Sequence, residues 1–210
     1  MRTARPAALG LSCLLAVVAL SCGADDRAAS ARPGPSTQAP STTTAPTTAP
    51  ERDPAALVEP LARVMEERGD LHPVVSPDGL TVQYGVTVRH YSPEQLEGIL
   101  SDPTVEGWNP GACDDECHQG TFAAVVADDL LGAFRDADVA LTMNTAVLGP
   151  NTLAGVEFPP DLEGLEYVSV HDPGDNPGYQ GLDWTTWLVF VEEHEGRPRV
   201  AGLAQYAWTP

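Results

Sequence analysis

The stretch TWLVFVEEHEGRPRVAGLAQYAWTP, Thr186–Pro210, decides the fold of this chain. It carries most of two apolar arms, 182–193 and 199–208, which flank a polar tip at 194–196. Apolar side chains recur at even spacing along both arms, at Trp184, Leu188 and Phe190 and then at Val200, Ala204, Tyr206 and Trp208. Two such arms joined by a tip containing glycine are typical of an antiparallel hairpin. The domain is therefore predicted to end in one.

Helical patterns dominate the earlier part of the chain. Asp53-Pro54 has the form of a helix start, an N-cap residue followed by proline. Ser92 and Gln95 have the spacing of a capping box ahead of a second helix. Apolar residues at helical spacing over 122–134 predict a third.

Strand patterns lie between and after these helices. Apolar and polar residues alternate over 80–89, over 139–148 and over 167–171. Helices come mainly first and antiparallel strands mainly last. This order predicts an α+β domain in which the N-terminal helices pack on one face of a curved, mainly antiparallel sheet.

The closing hairpin resembles that of nuclear-transport-factor-like (cystatin-like) domains, over the quoted stretch only. That superfamily includes enzymes and non-catalytic binding domains, so the resemblance implies a fold and does not imply an activity.

The first segment has the form of an export signal. Arg2 and Arg5 precede an apolar run over 9–20, and Cys22 follows a small residue. This arrangement resembles the lipobox of bacterial lipoproteins, although Ala19 stands where the family usually has a larger aliphatic residue. The resemblance implies a signal peptide over 1–21, removed on export, and a diacylglycerol thioether on Cys22. More than one acyl chain would anchor the protein stably on the extracytoplasmic side of a bacterial membrane.

A linker follows the anchor. Residues 22–50 are rich in proline, threonine, serine and alanine and contain no aromatic or large aliphatic side chain. Such a segment cannot bury enough apolar surface to fold, so it is predicted to be a disordered, extended spacer. The single α+β domain is predicted over 51–210.

Charge and composition restrict the chemistry of the domain. The chain has 30 acidic and 11 basic residues, a formal net charge of -19, and no lysine. Schiff-base, Walker A and serine–lysine mechanisms are therefore excluded. The acidic balance argues against nucleic acid as a partner, because phosphate binding requires basic surface. We expect no cofactor, contact with the membrane through the lipid alone, and an envelope protein or a small ligand as the partner.

The segment CDDECH, 113–118, places two thiols beside a histidine. In an oxidising compartment a disulfide between Cys113 and Cys117 is the simplest interpretation. A metal site using both thiols and His118 is an alternative that needs a fourth ligand from elsewhere. A redox pair fits less well, because the spacing differs from Cys-x-x-Cys and the flanking acids would raise the thiol pKa.

A second candidate site lies between two predicted strands. Asp172, Asp175, Asn176 and Asp183 supply oxygen atoms that could hold calcium. Glycine and proline replace the usual residues of a calcium-binding loop here, so we interpret the segment as a turn and predict no metal.

Catalysis is the third possibility. Ser169 and His171 share one face of a predicted strand, but the chain has no Gly-x-Ser-x-Gly elbow. We therefore expect a non-catalytic binding or structural module, with a small extracytoplasmic hydrolase as the alternative. A hydrolase should have a concave pocket in which His171 or His90 meets a carboxylate.

The disulfide can be tested directly. Three intervening residues allow the two Cα atoms to come within bonding range if the loop turns. Mass spectrometry of the non-reduced, thiol-trapped exported protein should show Cys113 and Cys117 bonded to each other. Two free thiols would contradict the disulfide, and one retained zinc ion per chain would support the metal alternative.

Overall fold

The computed structural model describes residues 52–108, 119–150, 152 and 155–208. The signal peptide and linker predicted over 1–50 lie outside the described residues. The domain is α+β, as predicted, with three α-helices and a six-stranded, mainly antiparallel sheet. Its elements are α1 (Pro54–Glu66), β1 (Leu80–Tyr84), β2 (Thr87–Tyr91), α2 (Pro93–Leu96), β3 (Glu106–Gly107), β4 (Gln119–Gly120), α3 (Asp128–Arg135), β5 (Ala140–Met143), β6 (Glu166–Asp172), β7 (Thr185–His194) and β8 (Arg197–Ala207).

The sheet has the strand order β2-β1-β8-β7-β6-β5. All neighbours are antiparallel except β1 and β8, which run parallel. The predicted closing hairpin is present as β7–β8, the longest ladder of the sheet, and it occupies the centre. The N-terminal hairpin β1–β2 joins one side of it and β5–β6 joins the other.

The alternating segment over 80–89 is a hairpin, so the prediction of one strand there was wrong. The chain reverses at Gly85, whose φ of 55° lies in the left-handed region that glycine enters readily. Tyr84 and Thr87 then face each other across the turn. Alternation continues through the turn in the sequence, and this is why the pattern did not reveal the break.

Helix α1 begins where the sequence predicted. The Asp53 side chain accepts a hydrogen bond from the backbone N–H of Ala55 at 3.1 Å and caps the helix. Pro60 lies within the helix without ending it and has an exposed side chain. The opposite stripe of α1 is buried against the sheet and α3 through Val58, Leu61, Ala62 and Met65. No helix in the described ranges is long and apolar enough to cross a bilayer.

Large side chains fill the space between the helices and the sheet. Helix α3, which a π-helical turn over Ala123–Ala127 precedes, brings Leu130 and Leu131 onto this face of the sheet. Trp187 of β7 and Trp108 are fully buried there. Burial of one leucine side chain in this layer contributes about 1.5–3 kcal/mol to folding, relative to leaving it exposed. This layer is the main core of the domain.

The other face of the sheet is covered by the long connection between β5 and β6. Phe158 of this connection packs on Tyr167 and Phe190, with ring centroids 5.1–5.4 Å apart. The strand predicted over 139–148 therefore ends early, at Met143. Asn144 follows with a φ of 51°, and its side chain accepts a hydrogen bond from the Tyr167 N–H.

A β-bulge changes the sheet face to which the side chains of β8 point. The register shifts between Phe190 and Val191, so that Ala201 is an extra residue in β8. Val200 consequently belongs to the core on the helix side, whereas Ala204 belongs to the cluster on the other face. Even spacing alone would have placed both on one face.

The connection between β5 and β6 fits closely against the sheet, so adding one methyl group at Gly149 should destabilise the domain. A Cβ at Gly149 would lie 2.0 Å from the indole ring of buried Trp184. We expect Gly149→Ala to lower the free energy of unfolding by about 1–3 kcal/mol through overpacking. The measurement is urea denaturation at neutral pH.

Gly132 in α3 is the matched control, because a Cβ there would meet nothing within 4 Å. Gly132→Ala should raise stability by about 0.5–1 kcal/mol through helix propensity. Equal effects of the two substitutions would contradict the close packing at Gly149.

Candidate functional site

The space between the helices and the sheet is occupied by aromatic side chains. Tyr84 lies between Trp108 and Trp187, with ring centroids 6.1 and 6.0 Å away. The Trp187 indole N–H donates to Asp129 of α3 at 3.1 Å, and the Trp108 N–H donates to the Gly120 carbonyl at 3.3 Å. Burial, with a smaller contribution from the Asp129 charge, raises the pKa of Tyr84 to about 12. Tyr84 is therefore neutral at physiological pH and cannot act as a base.

Ser169 and His171 lie on the sheet face that is turned away from the helices. Ser169 is fully buried, and His171 is 9% exposed. The Thr186 hydroxyl, which is also buried, donates to the Val147 carbonyl at 2.7 Å. It must therefore accept from His171 Nδ1, 2.8 Å away. The Ser169 hydroxyl accepts the Val147 N–H at 3.1 Å.

This polar cluster holds the covering segment onto the sheet. Both backbone polar groups of Val147 are bonded to strand hydroxyls, one to Ser169 and the other to Thr186. Burial lowers the pKa of His171, against a smaller opposing effect of Asp172, and keeps the ring neutral. No hydrogen bond joins Ser169 to His171 among the described residues, so they do not form the hydrogen-bonded nucleophile–base pair of a hydrolase.

Two other histidines of the described ranges, His90 and His72, are also hydrogen-bonded. His90 Nδ1 lies 3.0 Å from the Thr81 hydroxyl of the neighbouring strand. Neither His90 nor His171 is hydrogen-bonded to a carboxylate within the described ranges. His72 is bonded to a carboxylate, because its Nδ1 lies 2.6 Å from an oxygen of Asp70. Its Nε2 lies 2.9 Å from the Pro93 carbonyl oxygen. The hydrogen bond to Asp70 raises the pKa of His72, because both ring nitrogens face acceptors.

The oxygen-rich loop after β6 uses its side chains to hold its own backbone. Asp172 accepts from the Gly174 N–H at 2.8 Å, and Asn176 accepts from the Gly178 N–H at 2.9 Å. One oxygen of Asp183 accepts from the Asn176 N–H at 2.8 Å. In the described ranges no group of three or more histidine, cysteine, aspartate or glutamate side chains could hold a metal ion. Cys22, Cys113 and Cys117 lie outside these ranges.

Among the described residues, two surface concavities combine side chains that sequence reasoning did not bring together. One has a volume of about 290 Å³ and is lined by acidic and aromatic side chains, among them Glu94, Glu97, Asp102, Glu106, Tyr91 and Phe122. Three of its carboxylates are already bonded, Glu106 to the Tyr91 hydroxyl at 2.7 Å, Glu94 to the Ser92 hydroxyl at 2.8 Å and Asp102 to Thr104.

The second concavity, called here the α1–hairpin groove, lies between the first half of α1 and the tip of β7–β8. It has a volume of about 220 Å³ and is mainly apolar, with two arginines. Its lining comprises Ala56, Leu57, Pro60 and Leu61 of α1, Pro73 and Val74, and Val191, Arg197, Pro198, Arg199 and Val200 of the hairpin. The groove combines three segments far apart in sequence, so no local motif indicates it.

Comparison with known proteins adds little to this picture. No family model and no curated protein matches the chain. A solved structure whose title begins "Rd1NTF2_05" and names five substitutions is similar, with 11% identity and a TM-score of 0.35. The match covers 72% of this chain and 94% of that one. A TM-score this low carries no argument, so the fold assignment rests on the strand order and core described above.

The two perturbed histidines predict opposite effects of pH on stability. The folded-state pKa of His171 is lowered, so the unfolded chain binds a proton first as pH falls below about 6.5, and stability is lost. His72 has a raised folded-state pKa, so its contribution is present below that pH and is lost as pH rises. Urea midpoints between pH 5 and 8 should therefore fall less on acidification in His171→Gln than in the parent protein.

His72→Gln is the matched comparison and should make the acid loss steeper. The same pH profile in both variants would contradict the assigned protonation states.

Proposed function

We propose that this protein is a non-catalytic binding module, held outside a bacterial membrane by lipid on Cys22 and displayed on a proline- and threonine-rich spacer. The observation that carries the proposal is the filled space between the helices and the sheet. Trp108 and Trp187 are fully buried there. Active sites and small-molecule sites lie preferentially in clefts or cavities, whereas this space is filled by side chains.

The bonding of the histidines supports the same proposal. His171 and His90 are bonded to threonine hydroxyls. The alternative, a small extracytoplasmic hydrolase, would need one of them beside a carboxylate. His72 is beside one, Asp70, but it is an exposed side chain that lines neither of the concavities described above.

The anchoring part of the proposal rests on the first segment. An apolar run of signal-peptide length ends at Cys22, and a spacer without large apolar side chains follows. The acidic domain would be repelled by an anionic lipid surface, so the spacer would hold it away from the membrane.

Substitution of the lipidated residue tests the anchor. In a bacterial host, Cys22→Ser should move the chain from the membrane fraction to the soluble extracytoplasmic fraction, because the thiol that accepts the lipid is gone. Detergent phase partitioning followed by immunoblotting measures the change. Unchanged partitioning of Cys22→Ser would contradict lipidation at this residue.

The released Cys22→Ser chain then tests the absence of catalysis. We expect no turnover above buffer of p-nitrophenyl esters, phosphates or glycosides. A turnover that disappears in His171→Gln or His90→Gln would overturn the proposal in favour of the hydrolase.

A further inference from the structure

The two outer strands of the six-stranded sheet, β2 and β5, differ in how well they are protected from pairing with another chain. Strand β2 carries Arg89 and His90, and charged or polar residues of this kind discourage pairing at an edge. Strand β5 has the sequence ALTM, which contains no charge and no proline, and its register with β6 has no bulge. It is therefore the less protected of the two edges.

The β5–β6 ladder shows which backbone groups of β5 point outward. The Asn144 N–H, directly after the strand, donates to the Tyr167 carbonyl at 2.9 Å. Hydrogen-bonded and non-bonded pairs alternate along an antiparallel ladder, so Thr142 also bonds to β6 through its backbone. The N–H and C=O groups of Leu141 and Met143 consequently point away from β6. No strand of the described ranges pairs with them.

The domain covers β5 only in part. All four residues of the strand are half-buried, so each keeps some of its surface exposed. On the helix side, Leu141 and Met143 pack against the core together with Val139 and Phe134, which are also half-buried. An additional strand would cover this apolar surface and would satisfy four backbone polar groups.

A negative charge lies at the start of this edge. Asp138, two residues before β5, is exposed, and its carboxylate has no hydrogen bond or ion pair with any described residue. Its N–H donates to the Asp136 side chain at 2.8 Å. Arg135, which ends α3 just before, is paired with Glu66 of α1. This arginine therefore does not neutralise Asp138, in a chain whose net charge is -19.

We infer that β5 binds a short, extended, basic peptide segment of another protein, which adds an antiparallel strand to the sheet. Sheet edges bind peptides through main-chain hydrogen bonds, and alternate side chains provide the specificity. Peptide residues opposite Leu141 and Met143 would face the helix side and should be apolar, whereas the residue opposite Thr142 should be polar. The C-terminal end of the segment would lie near Asp138 and should be basic. This inference deepens the proposed binding function by naming a partner class.

The net charge favours a basic peptide over a second copy of this chain. Two copies joined through β5 would bring two acidic domains together, and net charge of one sign opposes association. Strand β5 has no basic residue with which a second copy could neutralise Asp138.

NMR titration of the full, 15N-labelled chain carrying Cys22→Ser tests this assignment. The probe is the capped peptide acetyl-TVTVKK-amide, whose two valines would lie opposite Leu141 and Met143. At saturation it should slow hydrogen exchange of the Leu141 and Met143 amides at least about tenfold, because both N–H groups become bonded. The Thr142 amide is the internal control and should change less, because it already bonds to β6.

Two methylated forms of the peptide locate the hydrogen bonds. Methyl groups on both valine nitrogens remove the N–H groups that would donate to β5, and they should weaken binding at least about tenfold. Methyl groups on the nitrogens of the second threonine and the first lysine would point to solvent, so this control should bind within about threefold of the parent peptide. Equal weakening by the two forms would overturn the inference.

An exchange of charge tests the basic end of the segment. Asp138→Lys should weaken binding of acetyl-TVTVKK-amide at least about fivefold and strengthen binding of acetyl-TVTVEE-amide. Glu97→Lys makes the same change of charge at the end of α2, which contacts β2 at the opposite edge of the sheet. It should change either affinity by no more than about twofold, because solvent screens exposed charges at that distance. Affinities that Asp138→Lys leaves unchanged would overturn the preference for a basic partner.

Other occupants give distinguishable results. Unchanged exchange of the Leu141 and Met143 amides at saturating peptide, or slowed exchange in β2 instead, would overturn the inference. So would a dimer of the peptide-free chain, seen by sedimentation, in which these two amides are already protected, because the occupant would then be a second copy. None of these results concerns hydrolysis or anchoring, so the proposed function would stand or fall separately.

Discussion

The structure depends on one constraint, which is that β7 is apolar on both of its faces. Consecutive residues from Trp187 to Val191 are all buried, and they alternate between the two sides of the sheet. A strand of this kind must be covered twice, because either exposed face would leave large apolar area in water. The helices cover one face, and the connection between β5 and β6 covers the other.

The two covers are attached in different ways. The helices attach through large apolar side chains, with one polar contact from Trp187 to Asp129. The connecting segment has fewer apolar residues and is also held by the hydroxyls of Ser169 and Thr186. Buried polar groups must be hydrogen-bonded, and these hydroxyls satisfy Val147 as well as His171. Ser169 and His171, which the sequence offers as candidate catalytic residues, thus belong to the polar cluster that holds the β5–β6 connection on the sheet.

Because both faces of the sheet are covered in this way, candidate binding surfaces lie on the exterior of the domain. The space between the helices and the sheet is filled, and the α1–hairpin groove lies outside it, where α1 meets the hairpin.

The sequence by itself determined the α+β class, the closing hairpin, the start of α1 and the capping box before α2, because each depends on spacing between near neighbours. It could not show the reversal at Gly85, because the alternation of apolar and polar residues continues through a tight turn. Nor could it show that Val200 and Ala204 lie on opposite faces of the sheet, because a β-bulge adds one residue to the strand and no sequence motif indicates it. Only the tertiary structure decided what His171 binds and which carboxylates pair with which arginines. Those facts depend on contacts between residues such as His171 and Thr186, or Arg52 and Glu193, that lie far apart along the chain.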